Sequence, residues 1–256
     1  MSVNNTFAFL LSCLLIAHLH AQKSDLYFKL KLNKGDQIGN IFSRTISTRG
    51  DGFTEIAGRI SGTAVYTVLD NYPDKVALSV AGHYDGRPEA QSKFTITLDG
   101  KTTVTDNGKA SESTDASGFC YNVRIWGVPP ADLNPGTSWN VTLSAPWELG
   151  GPGIQKVTVL SMDQANHTIT LQREGEGAGN FDNDAKQMHI MKDGKNLLMD
   201  IQPGPAHWTG YTIVKDGLIV SDELLVTRPL TLTTDSLKLT ATQRQYILLN
   251  QMPVSK

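Results

Sequence analysis

Lys156-Val157-Thr158-Val159-Leu160, followed by the polar stretch Ser161 to Asn166 and then by His167-Thr168-Ile169-Thr170-Leu171-Gln172, decides how the chain reads. β-Branched residues fall at alternate positions on both sides of a polar turn, which is the period of a half-buried strand and not of a helix. Working outward, the same period recurs in residues 26–32 (LYFKLKL), 63–69 (TAVYTVL), 75–82 (KVALSVAG), 93–98 (KFTITL) and 224–232 (LLVTRPLTL). Asn33-Lys34-Gly35-Asp36, Asp70-Asn71-Tyr72-Pro73-Asp74, Asp99-Gly100, Asp193-Gly194 and Asp216-Gly217 punctuate these runs. An Asp-Gly pair between two extended runs fits a type I′ hairpin turn, which needs positive φ at both positions. No apolar stripe has convincing helical spacing. Ala241 to Leu249 is the best helical candidate, and it competes with a terminal strand.

The fold class expected is therefore all-β and antiparallel. Its 256 residues suit one large β domain or two smaller ones. With 39% hydrophobic and 19% charged residues, the composition excludes a disordered tail, a collagen or a disulfide scaffold. A formal net charge of -2 supplies no basic excess for phosphate contacts, so nucleic acid is not an expected partner.

Residues 1–21 read as a signal peptide. Phe7 to Leu19 is almost wholly apolar and shorter than the span of about 20 residues that a membrane helix needs. Cleavage is expected after Ala21. Leu10-Leu11-Ser12-Cys13 loosely matches a lipoprotein box, but the apolar run continues beyond Cys13. No later stretch is apolar enough for a membrane helix, so the mature chain is expected in an exported compartment: periplasmic, outer-membrane-associated or secreted. Removal of Cys13 leaves Cys120 alone, expected as a small buried thiol on a strand.

Three echoes organise the rest. Leu32-Asn33-Lys34-Gly35-Asp36 returns as Leu133-Asn134-Pro135-Gly136-Thr137. Tyr66-Thr67-Val68-Leu69 returns as Val157-Thr158-Val159-Leu160, and residues 94–106 resemble residues 211–222. The expected organisation is a first β repeat over 22–128 and a second over 129–256, hinged at Val128-Pro129-Pro130, or one continuous domain. The repeats would form a curved sheet, as a half-barrel or a sandwich.

Leu30 to Asp36, Tyr66 to Asp70, and Val128-Pro129-Pro130 with Gly136-Thr137-Ser138-Trp139 resemble motifs of an uncharacterised family of exported bacterial β-proteins. That resemblance implies export and an antiparallel β architecture, with no established catalytic residues. By architecture alone, the expected fold is similar to periplasmic lipid-carrier half-barrels.

Candidate chemistry is sparse. His83, His167, His189 and His207 show no zinc spacing, and no metal or other cofactor is implied. Met188, His189, Met191 and Met199 suggest copper by composition. A hairpin turning at Asp193-Gly194 would pair Met188 with Met199 and put His189 and Met191 on the opposite face. The acidic, Gly-rich Glu174 to Asp184 lacks the spacing of a calcium loop. Arg49-Gly50-Asp51 is explained by a turn. Trp126, Trp139, Trp147 and Trp208 fall in or beside Pro/Gly-rich segments and are the candidate ligand-binding residues. No catalytic residue is assigned. The chain reads as an exported cell-envelope protein that binds an apolar small molecule or an envelope protein without enzymatic chemistry. Two alternatives stand beside it: a carbohydrate-active or other hydrolytic enzyme, and a structural or adhesive surface module.

Overall fold

A computed structural model describes residues 24–50, 52–53, 56–86, 90–97, 101–106, 109–113, 119–144, 152–179 and 187–254. The signal peptide, Asp51, the Asp99-Gly100 turn, Trp147 and residues 180–184 of the acidic stretch lie outside them. The first half supplies β1 (Gln37–Gly50), β2 (Ile56–Asn71), β3 (Lys75–Tyr84), β4 (Ala90–Thr97), β5 (Thr102–Asp106) and β6 (Lys109–Ser113). The second supplies β7 (Ser138–Leu143), β8 (Gly153–Asp163), β9 (Thr168–Gly177), β10 (Gln187–Lys192) and β11 (Lys195–Pro203). It continues with β12 (Ala206–Lys215), β13 (Leu218–Thr233) and β14 (Lys238–Met252). All pairings are antiparallel and build one curved, unclosed sheet in the order β6-β5-β4-β3-β2-β1-β14-β13-β12-β9-β8-β7. The hairpin β10–β11 attaches to the far end of β13. The all-β antiparallel expectation holds, and Ala241 to Leu249 lies in a strand. Gln243, Gln245 and Ile247 alternate inward there, and both edges of β14 are paired.

The same local geometry recurs in the two halves. Gly35 and Gly136 have φ of 90° and 91°, and each sits at the third position of a turn closed by Asp36 N–H to Asn33 O or Thr137 N–H to Asn134 O. Each then forms a glycine bulge: Gly35 N–H donates to Val68 O and Val68 N–H to Asp36 O, as Gly136 does to Val159 and Val159 to Thr137. The register slips between Val68 and Asp70 in one half and between Val159 and Ser161 in the other. Both slips leave a leucine, Leu69 or Leu160, exposed in the bulge.

One face of the sheet is apolar and carries the core. The other presents Arg59, Lys156, Glu174 and Arg244 to solvent. Exposed Ile41, Tyr211, Leu225 and Tyr246 stand on the same face. No described helix is long and apolar enough to cross a membrane.

Two segments plug the core face at the end where the chain enters the sheet. One is a helical turn at residues 24–28 that runs on to Leu32; the other spans Phe119 to Leu133 and holds the short helix Val123–Trp126. Sequence reading places Cys120 on a strand. Instead, Cys120 makes one isolated bridge to Leu218, and Asn122 caps the helix by accepting from Arg124 N–H. The plug is stitched to the β12–β13 turn: Gly217 N–H donates to Tyr27 O, Tyr121 N–H to Gly217 O and Ile219 N–H to Phe119 O. Tyr27, Ile125, Trp126 and Leu133 join the core of the second half, while Leu32, Phe119 and Cys120 join that of the first. A third cluster, with Ile190, Met199, Leu230 and Leu232, closes the opposite end under β10–β11.

Candidate ligand-binding site

Cross-strand registers sort the core face into rows. Phe42 lies opposite Gly62 and Leu249; Arg44 opposite Ile60 and Ile247; Ile46 opposite Gly58 and Gln245; Thr48 opposite Gln243. Tyr84 follows Leu78, Val80 and Gly82 at alternate positions and faces Gly62. Directly opposed residues share a face, so all of these side chains point to the core side.

Coverage along this face is uneven. At the plugged end, Val68 and Leu78 are sealed beneath Leu32, Phe119 and Cys120. Farther along the same strands the plug ends. Ile60 is 46% exposed and Tyr84 40%, although both stand on the core side. A Cβ added to Gly58 would meet nothing within 4 Å, whereas one at Gly62 would meet Tyr84 Cδ1 at 2.8 Å. The tyrosine ring therefore rests on a glycine floor beside open space. Bordering this apolar wall, Gln243 and Gln245 are buried, and Gln245 Nε2 donates to Gln243 Oε1 at 3.0 Å. Gln245 Oε1 is buried with no hydrogen-bond partner among the described residues. An apolar surface with Arg44 opposite Ile60 and an adjoining amide strip suits a ligand that is mostly hydrocarbon with a few polar atoms.

The tryptophans are placed elsewhere. Sequence reading sets them in or beside loops, but Trp139 lies on β7 and Trp208 on β12, and Trp126 ends the short helix. Alternation puts Trp208 on the core face directly after the Pro203-Gly204-Pro205 break, so the break shapes its strand without hosting it. Trp126 and Trp208 are 1% and 4% exposed, and Trp139 is half-buried. The structure brings these three together. Trp139 Nε1 donates to Trp126 O at 2.6 Å, and Trp208 Nε1 to Gln155 Oε1 at 3.0 Å. Gln155 Nε2 in turn donates to Ile125 O at 2.7 Å. Trp126 Nε1 donates to Thr212 Oγ1, which donates to Asp222 Oδ1. Arg173 holds Asp222 Oδ2 at 2.5 Å and lies 5.4 Å from the Trp126 ring centroid. Asp222, a carboxylate on the core face, is thus fully engaged by an arginine and a threonine.

The histidines do not converge. Register pairs Met188 with Met199 and His189 with Leu198, as the hairpin reading requires, and the turn has φ of 49° at Asp193 and 73° at Gly194. Met199 is buried, while His189 and Met191 are exposed on the other face. His167 instead meets the plug: Asp216 Oδ1 lies 2.7 Å from Lys31 Nζ and 2.9 Å from His167 Nδ1. Burial pushes the Cys120 thiol pKa up to about 12.

Sequence reading misses Ile60, Tyr84 and Gly58. Alternation along 63–69 and 75–82 assigns faces there, but the strands run on to Ile56 and Tyr84. Which part of a face the plug leaves bare is a long-range fact with no local signal.

No family model and no curated protein matches the chain. Among solved structures, Ail, the attachment invasion locus protein of Yersinia pestis, is 8% identical, with 85% of this chain and 99% of that chain covered. Its TM-score is 0.15, and a likeness at that level carries no weight for fold or function.

Proposed function

We propose that this is an exported envelope protein that binds an apolar small molecule, without chemistry, on the uncovered core-side surface of β1–β3. One observation carries the reading: Ile60 and Tyr84 stand on the core face and are nonetheless about half exposed. Large apolar side chains on the inner side of a curved sheet are ordinarily covered, and a bare stretch beside a fully plugged one is a seat for a ligand. Export rests on the apolar leader at Phe7 to Leu19. We further propose that the halves 22–128 and 129–256 are copies of one unit, which the matched turns and bulges support.

Native mass spectrometry of the protein purified from its exported fraction tests the binding. The expected result is an apolar adduct that organic extraction removes, after which 1-anilinonaphthalene-8-sulfonate binds with enhanced fluorescence. Ile60→Asp should weaken probe uptake by about tenfold or more, since one buried aliphatic side chain is worth about 1.5–3 kcal/mol. A wild-type protein that carries no adduct and leaves the probe dark would overturn the proposal.

A further inference from the structure

Asn40 lies on β1, opposite Ala64 of β2 and Gln251 of β14. It precedes Phe42 and Arg44 at alternate positions, so its side chain points to the core side as theirs do. The residue is only 3% exposed, and neither Oδ1 nor Nδ2 has a hydrogen-bond partner among the described residues. Burying a carboxamide costs its hydration, and here no bond within the chain returns that cost. A buried donor and acceptor left open together on the inner side of a sheet are placed to meet a ligand.

The bare stretch around Ile60 and Tyr84 leads to this side chain. Register sets Tyr84, Gly62 and Phe42 in one row and Gly82, Ala64 and Asn40 in the next. The glycine floor under Tyr84 therefore continues as a trough of small residues that ends at Asn40. Ala64 is half-buried although it stands on the core side, and so is Phe42, which flanks the way in opposite Gly62. Gln245 borders the other end of the seat, but its Nε2 already donates to Gln243 Oε1. Asn40 is the side chain beside the seat that leaves both a donor and an acceptor open.

We infer that Asn40 binds the head of the apolar ligand, and that this head is a neutral carboxamide at the end of an alkyl chain. The inference rests on the seat proposed above. A primary carboxamide answers both atoms at once: its N–H donates to Asn40 Oδ1 while its carbonyl accepts from Nδ2, in two parallel hydrogen bonds. An alcohol has a single oxygen and cannot align with both, and a carboxylate has no donor for Oδ1. The surroundings also favour a neutral head. Ile38, Phe42, Ala64 and Gln251 beside Asn40 carry no charge. The nearest charge on the core side of β1 is Arg44, about 13 Å farther along the strand. An ionised head would lose its hydration among these neighbours.

Displacement of 1-anilinonaphthalene-8-sulfonate from the extracted, full mature chain by octanamide, octan-1-ol and octanoate at neutral pH tests the inference. The three probes share a similar chain and differ in the head, and octanoate is ionised under these conditions. Octanamide should bind about tenfold more tightly than either of the others. Asn40→Leu, close in volume, should abolish that preference by weakening octanamide about tenfold while octan-1-ol changes by less than about twofold. Its urea midpoint should hold or rise, because an apolar group replaces an unpartnered polar one. If Asn40→Leu fails to fold, Asn40→Ala takes its place. A wild type that takes up all three probes without preferring octanamide, or a folded variant that keeps the preference, overturns the head site and leaves the seat standing. A wild type that binds neither the dye nor any of the three overturns both.

Discussion

Trp208 lies flat because three glycines beside it have no side chain. A Cβ on Gly175 would meet its ring at 2.4 Å, on Gly153 at 2.8 Å and on Gly177 at 3.3 Å. Gly175→Ala should therefore cost about 1–3 kcal/mol, read as a lower urea midpoint with an unchanged slope. Gly58 is the contrasting case: an added methyl enters open space, and Gly58→Ala should be neutral or stabilising by about 0.5–1 kcal/mol. Asp222→Ala leaves Arg173 buried without its carboxylate, and about 3–5 kcal/mol of stability should be lost in the same measurement. Cys120 should resist a thiol reagent at pH 8 in the folded protein and react at once in denaturant, because the thiolate is both desolvated and enclosed. Sequence reading anticipates the burial of Cys120 from its neighbours Phe119 and Tyr121. It does not anticipate the bed under Trp208, since glycines on two other strands, β8 and β9, contribute to it.

The elements follow local chemistry closely. Alternation places the strands, and the Asp-Gly turns at 193–194 and 216–217 have positive φ at both positions. The stretch Asn122 to Gly127 escapes that logic. A capping asparagine and a glycine at φ 74° enclose one helical turn, too short to show periodicity. The plug's attachment has a charge dependence. Burial raises the Asp216 pKa, but hydrogen bonds from Lys31 and His167 outweigh it and hold the carboxyl below its ordinary value. A carboxyl with a lowered folded-state pKa stabilises the fold above its unfolded value and loses that contribution as pH falls through the folded one. The melting temperature should fall with acidification below about pH 4, and Lys31→Gln should flatten that part of the profile. An unaltered acid limb in Lys31→Gln would remove Lys31 from the account.

At the scale of the whole molecule, the first and last strands meet. β1 pairs with β14, and Tyr27 from the first half enters the core of the second together with Trp126. Residues 22–128 or 129–256 expressed alone should lack a cooperative melt, while the full mature chain should unfold in one calorimetric transition; an independently folding half would contradict this. Much of the architecture is legible along the chain. β-Branched alternation, Asp-Gly turns and the echo of Leu32 to Asp36 in Leu133 to Thr137 depend on neighbouring residues, whose sterics and hydrogen bonds act within a few positions. Those features determine by themselves an antiparallel β protein with matched turns. The order of the sheet, the seam between β1 and β14, and the stretch around Ile60 and Tyr84 that the plug leaves bare are decided only in the tertiary structure. They depend on contacts between segments far apart in the chain, which hydrophobic burial selects without regard to sequence distance.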